Sequence, residues 1–293
     1  MNVITNPLAE VFGFPVDNTT SKAMRYREQK LCPFNNKSPN CTKDKQNNPL
    51  GVCSVHHHQT AVITCPIRFR QDWLIVENAA NFFFSGNTKW TSLPEIRLLD
   101  KNQQSAGNID FVLVSYNDKG ELIDFGSLEI QGVYISGNLR NPFEEYLKNP
   151  VPDFVWPRRG NYYPNPDYLS SSRKQLIPQI LIKGGIFKRW NKKQAVALQK
   201  SFFDTLPKLP TVKIEDADIA WLLYDLLLNE QTNQYDLVLV ETVYTEFEPA
   251  LLRITTPDPG EITDFLNLLQ NKLDNRLEGN PPDAPTLTDL FSN

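Results

Sequence analysis

Hydrophobic and polar residues alternate most regularly between residues 109 and 135. The run IDFVLVSY predicts a strand with Asp110 near its head; the turn NDKG follows, and LIDFGSLEIQGVYI predicts the returning strand. A period of two places Glu129 and Gln131 on one face and Ile130 on the other. Antiparallel pairing would bring Asp110 to the face that carries Glu129. Upstream, TAVITCPIRF and DWLIVE are rich in β-branched and aromatic residues and predict strand over residues 60–77. In WTSLPEIRLLD, Glu95 directly follows a proline, at a predicted helix start. The N-terminal LAEVFGFPV is a candidate packing arm.

After Gly137 the pattern dissolves. Prolines at 142, 150, 152, 157, 164 and 166 predict a long structured loop, whose tyrosines and Trp156 either pack or line a groove. From Ser170 a helical period sets in, with cap residues in SSSRKQ and an interruption at Gly184-Gly185. Phe187, Trp190, Gln194, Ala197, Leu198 and Phe202 then predict a helix over about 186–204. Lys188, Arg189, Lys192, Lys193 and Lys200 would form its basic outer face. ADIAWLLYDLLLN predicts a buried helix over 217–229, YDLVLVETVY a strand, and ALLRITTP a second strand. Ile262, Phe265, Leu266, Leu269 and Leu273 mark an amphipathic helix over 260–278, and the tail from Asn280 is expected to be loosely attached. Strands and helices in this mixture indicate an α/β chain with a mixed sheet.

Composition narrows the class. The 293 residues, 40% hydrophobic and 22% charged, are those of an ordinary soluble protein with ample material for a core. No apolar run reaches the length of a membrane span and no signal peptide begins the chain, which favours the cytoplasm. A net charge of −4 gives no sign of a nucleic-acid partner. Its distribution does: residues 158–200 hold ten Lys or Arg against one acid, Asp167. Such a run is either a solvated face or a phosphate-contacting surface. Arg158, Arg159, Lys188, Arg189, Lys192 and Lys193 are the candidates for DNA contact, to base or to phosphate.

Cys32, Cys41, Cys53 and Cys65 are separated by eight, eleven and eleven residues, with no CxxC knuckle. Two disulfides or four free thiols are the alternatives to a metal site, and a cytoplasmic setting disfavours the disulfides. The surrounding segment is polar and poor in apolar residues, so it cannot fold on burial alone. That favours an ion held by four thiolates, zinc or iron, in a structural role. His56, His57 and His58 read as exposed loop residues. The expected domains are residues 1–75, an arm plus four-cysteine module, and residues 76–293.

Two carboxylates and an amide converging on one hairpin suit a hard divalent cation such as magnesium. Asp110 and Glu129 would be its ligands, and the carbonyl of Ile130 a further oxygen. The spacing is Asp, eighteen residues, then Glu-x-Gln, a variant of the PD-(D/E)xK nuclease motif with Gln131 where lysine usually stands. Together with FGFPV, LCPF, GVCSV, ITCP, LPEIRLL, IDFVLV, GSLEIQ and IFKRW in that order, the chain resembles the NotI-type restriction endonucleases over roughly residues 8–204. The resemblance implies a PD-(D/E)xK core, a central mixed sheet flanked by helices, beside a small four-cysteine module. It implies metal-binding roles for Asp110 and Glu129, a catalytic Gln131, a further active-site Glu95, and iron on the four thiolates. The implied activity is that of a type II restriction endonuclease: magnesium-dependent double-strand cleavage at a GC-rich palindrome in double-stranded DNA, by a homodimer. Two other readings remain: a nuclease of low specificity in DNA repair or processing, and a non-catalytic DNA-binding protein built on the cysteine module.

Overall fold

A computed structural model describes residues 6–45, 47–150, 154–156 and 163–278. The chain begins with β1 (Leu8–Val11), wholly buried, which turns at Gly13 into β2 (Phe14–Pro15). Gly13 has φ +84°, and a Cβ there would overlap the Pro33 ring, so the turn both needs glycine and seats the cysteine loop. α1 (Ser21–Glu28) follows, capped by Thr20. β3 (Val52–His57) and β4 (Thr60–Ile63) complete a four-stranded antiparallel sheet in the order β2-β1-β3-β4. Arg68 and Glu10 pin this sheet to the rest: both are fully buried, with Nε 2.9 Å from Oε1, and Arg68 also donates to the Tyr235 carbonyl at 2.7 Å.

The main sheet has six strands. β5 (Trp90–Leu99), β6 (Ser105–Tyr116) and β7 (Leu122–Gln131) form an antiparallel meander. β8 (Gln194–Gln199) lies parallel to β7 on one side and to β9 (Ile219–Asn229) on the other, and β10 (Gln234–Thr245) closes the far edge antiparallel to β9. The expected mixed α/β architecture with a central mixed sheet is therefore present. α2 (Leu74–Phe83) covers one face, packing Ile75, Val76 and Ala79 against the cluster that holds Phe111, Leu128, Ile130, Ala195 and Leu222. The opposite face, through Val196, Leu198, Trp221 and Leu223, packs with Leu176 and Ile180 of a helical stretch over residues 168–189. That stretch alternates α and π turns, the π turns spanning Ser172–Leu176 and Ile180–Gly184.

Several expected elements are corrected. Residues 186–204 are not one helix: helix ends at Arg189, β8 follows, and Lys200–Phe203 is a single turn. Residues 217–229, read as a buried helix, are β9. Both errors have one cause. A strand at the centre of a sheet covered on both faces is apolar at every position, and periodicity cannot separate it from a buried helix. The converse holds for ALLRITTP, which lies in α4 (Phe247–Thr255), a helix that buries Phe247, Ala250 and Ile254 at helical spacing. DWLIVE is not strand: Asp72 and Trp73 take positive φ, the chain turns, and α2 begins at Leu74. Pro94 starts no helix but lies within β5. The proline-rich stretch contains α3 (Arg140–Lys148), whose Pro142 falls in the first turn, where its missing N–H costs nothing.

The chain divides into two compact units, Met1–Thr255 and Thr256–Asn293. The second contains α5 (Ile262–Leu277), the expected amphipathic helix, in which no residue is buried. The tail from Asn280 lies outside the described residues. Among the described residues no helix is long and apolar enough to cross a membrane.

Candidate active site

Alternation along β6 and β7 sorts their side chains between two faces. Phe111 and Leu128 pair across the strands, and both belong to the cluster beneath α2. The next position, Asp110 beside Glu129, therefore falls on the opposite face, with Gln131 two residues on. Asp110 Oδ2 accepts from the Ile130 N–H at 2.8 Å, which ties the carboxylate to the neighbouring strand. Burial pushes the Asp110 carboxyl up from its ordinary range, while the Ile130 N–H, Lys183 and Arg70 pull it down.

Glu129 is 3% exposed. Burial, with Asp110 adding to it, pushes its pKa up to about 8 against the opposing pull of Lys183. Its Oε2 accepts from Lys183 Nζ at 2.6 Å, and Oε1 is buried with no partner. Gln131 repeats this half-satisfied state: Nε2 donates to the Gly132 carbonyl at 3.0 Å and to Gln175 Oε1, while Oε1 is buried and unpartnered. Buried polar atoms are nearly always paired, so Glu129 Oε1 and Gln131 Oε1, both unpartnered beside Asp110, are free to accept from a cation or its waters. The donors are all oxygen, as magnesium requires. Asp110, Ile130 and Gln131 also line a cleft of about 490 Å³, together with Lys43, Gln175 and Gln179.

The structure thus brings Asp110, Glu129, Ile130 and Gln131 together. It leaves Glu95 at the rim. Pro94 pairs with Phe111 and Ile96 with Ile109, so Glu95 lies alongside Asp110, but with φ +55° and an exposed side chain whose Oε1 meets Lys37 Nζ at 2.6 Å. That hydrogen bond holds its pKa below the usual value. Arg70 acts electrostatically on both Asp110 and Glu95. Lys183 and Gln175 carry no motif in the sequence and were not expected here. The only sequence signal for them is the four-residue spacing of Gln175, Gln179 and Lys183 on one helical face.

The basic candidates do not share one helix. Lys188 pairs with Asp218 at 2.8 Å, Lys192 with Asp124, and Lys193 donates to the Phe82 carbonyl at 3.3 Å with its ammonium over the Phe82 ring. Arg189 is exposed. Arg158 and Arg159 lie outside the described residues.

The four cysteines are all free. Cys32 and Cys41 flank the Leu31–Asn40 bridge, Cys53 is on β3, and Cys65 precedes a 3-10 turn. Burial pushes Cys32 up to about 11 and raises Cys41 and Cys53 as well, and each of these three also feels the charge of Cys65. Among the described residues no group of three or more His, Cys, Asp or Glu is arranged to hold a metal. His56 and His57 are not loop residues but the end of β3, both half-buried, whereas His58 is exposed.

A family model described as restriction endonuclease NotI matches residues 16–237. No curated protein matches the chain.

Proposed function

The chain belongs to the NotI restriction endonuclease family, and on that premise we propose that it is a type II enzyme making magnesium-dependent double-strand cuts at a specific, GC-rich palindromic site. The observation that carries this reading is Glu129 Oε1, buried without a partner beside Asp110 on the adjoining strand. A PD-(D/E)xK core accounts for the hairpin, with glutamine at its last position. Asp110 and Glu129, with the main-chain carbonyl of Ile130, would hold the cation. A magnesium ion so held supplies Lewis acidity to the scissile phosphate and lowers the pKa of the attacking water.

The chain's own groups do the rest. The Ile130 N–H fixes Asp110. Gln131 spends its amide hydrogens inside the protein, which leaves its Oε1 to accept from a water and orient it. Glutamine adds no charge, so Gln131 orients and does not activate. Glu95, exposed on β5 alongside Asp110, would hold outlying waters once Lys37 releases it. Arg158, Arg159, Lys188, Arg189, Lys192 and Lys193 are proposed DNA contacts. A homodimer would set one such site on each strand of a two-fold target. The four thiols would close on a structural iron or zinc ion, with no open coordination position for chemistry.

Digestion of plasmid DNA in magnesium tests this. Discrete bands are expected, and a smear would point instead to a nuclease of low specificity. Asp110→Ala should abolish cutting. Gln131→Ala should slow it by about a hundredfold while leaving DNA affinity in place. Equal inactivity of wild type and Asp110→Ala would leave only a DNA-binding protein.

A further inference from the structure

We propose that Lys183 is a positioning residue of this site, supplying from the helical stretch the positive charge that Gln131 cannot supply from the strand. The inference rests on the nuclease reading above and adds a residue to it.

Lys183 is 5% exposed, which is rare for an ammonium without a dedicated purpose. Its Nζ donates to Glu129 Oε2 at 2.6 Å and to the Asn108 carbonyl at 2.8 Å. An ammonium has three N–H groups, and the third has no hydrogen-bonded acceptor among the described residues. Lys183 therefore ties β6, β7 and the helical stretch together at the two carboxylates. It takes Oε2 and leaves Oε1 buried with no hydrogen-bond partner.

The helix is shaped to deliver this group. Gln175, Gln179 and Lys183 follow at intervals of four: Gln175 holds Gln131, Gln179 lines the cleft, and Lys183 holds Glu129. Leu176 and Ile180 anchor the same stretch in the core. Its depth is fixed by a close approach: a Cβ on Gly184 would lie 2.7 Å from Gln194 Oε1. Lys183 falls within the π turn Ile180–Gly184, and π turns are frequent at functional sites.

A pair of this kind is weak evidence for stability as such, since apolar residues of similar volume often replace it without loss. Its location is the stronger point. Two buried carboxyl groups face the phosphodiester there with no lysine on the strand, and Lys183 places a buried ammonium against Glu129.

The test uses full-length Lys183→Met, Lys183→Arg and the double variant Lys183→Met/Gln131→Lys. Cleavage is followed in magnesium, and calorimetry follows calcium binding without turnover. Lys183→Met should cut roughly a hundredfold more slowly and bind calcium at least about threefold more tightly, because a repelling charge has left the cation site. Lys183→Arg should stay nearer wild type than Lys183→Met. Moving the lysine to position 131 should recover about tenfold over Lys183→Met alone. A merely structural role predicts neither tighter calcium binding nor recovery by relocation. Lys183→Met cutting within about threefold of wild type, or no gain in the double variant, overturns the inference. If Lys183→Met fails to fold, Lys183→Arg and the double variant decide on the same criteria. A wild-type protein that neither cuts in magnesium nor binds calcium would instead sink the nuclease reading itself.

Discussion

His56 shows how a single side chain couples this fold to acid. It is half-buried at the end of β3, its Nδ1 has no partner, and burial lowers its pKa below the ordinary 6.5 against a weaker pull from Asp17. A base with a depressed folded pKa contributes stability that is fully present above its unfolded value and lost as pH falls through the folded one. Urea unfolding should therefore weaken below pH ~6.5, by up to about 1.4 kcal/mol per pH unit from this residue, and His56→Gln should flatten that slope. At the same scale, the catalytic candidates differ in how legible they are. Asp110, Glu129 and Gln131 can be read from sequence because one local hairpin holds all three, and strand alternation alone sets their faces. Lys183 could not be read that way, because it reaches Glu129 from 54 residues further along, through a helix whose depth depends on packing. Glu95, expected at a helix start, lies on a strand, because the proline before it sits within β5 and opens no helix.

Among the elements, the stretch over residues 168–189 carries the sharpest expectation, because two adjacent glycines there face different surroundings. A Cβ on Gly184 would lie 2.7 Å from Gln194 Oε1 and 2.9 Å from Phe247, whereas on Gly185 the nearest atom is Phe247 at 3.8 Å, an ordinary contact. Gly184→Ala should therefore lift the helix from the sheet, cost about 1–3 kcal/mol and slow cleavage by drawing Lys183 off Glu129. Gly185→Ala should leave cleavage unchanged and be neutral or slightly stabilising, since alanine favours helix by roughly 0.5–1 kcal/mol. Thermal melts and cleavage rates of the two variants check this. The elements misread from sequence are those where covering layers removed the pattern. β8 and β9 are buried on both faces and lost their alternation, while the end of β7 kept it, with Leu128 and Ile130 toward α2 and Glu129 and Gln131 toward the helical stretch.

For the whole molecule, the cysteine loop, the small sheet and the six-stranded sheet all fall within one compact unit, Met1–Thr255. Arg68, donating to the Tyr235 carbonyl, and Gln199, bonded to the backbones of Ala61 and Ile63, bind the first part of the chain to the rest. Removal of a thiol-held ion should then lower the midpoint of a single melting transition, by roughly 5 °C or more, and should not create a separate early one. Elemental analysis alongside the melt identifies the ion, and a purified protein with neither iron nor zinc would remove it from the proposal. The mixed sheet itself was legible as a class, since alternating and apolar runs were both present; its strands follow one another in chain order from β5 to β10, but which neighbours run parallel was not legible, because β8 and β9 read as helix. That order matters during synthesis. Both acidic side chains have been synthesised by residue 129, but the strand that lies against Glu129 ends at residue 199 and the ammonium that holds it comes at 183. A growing chain therefore holds Asp110 and Glu129 for some seventy residues before β8 can pair with β7 beside Glu129.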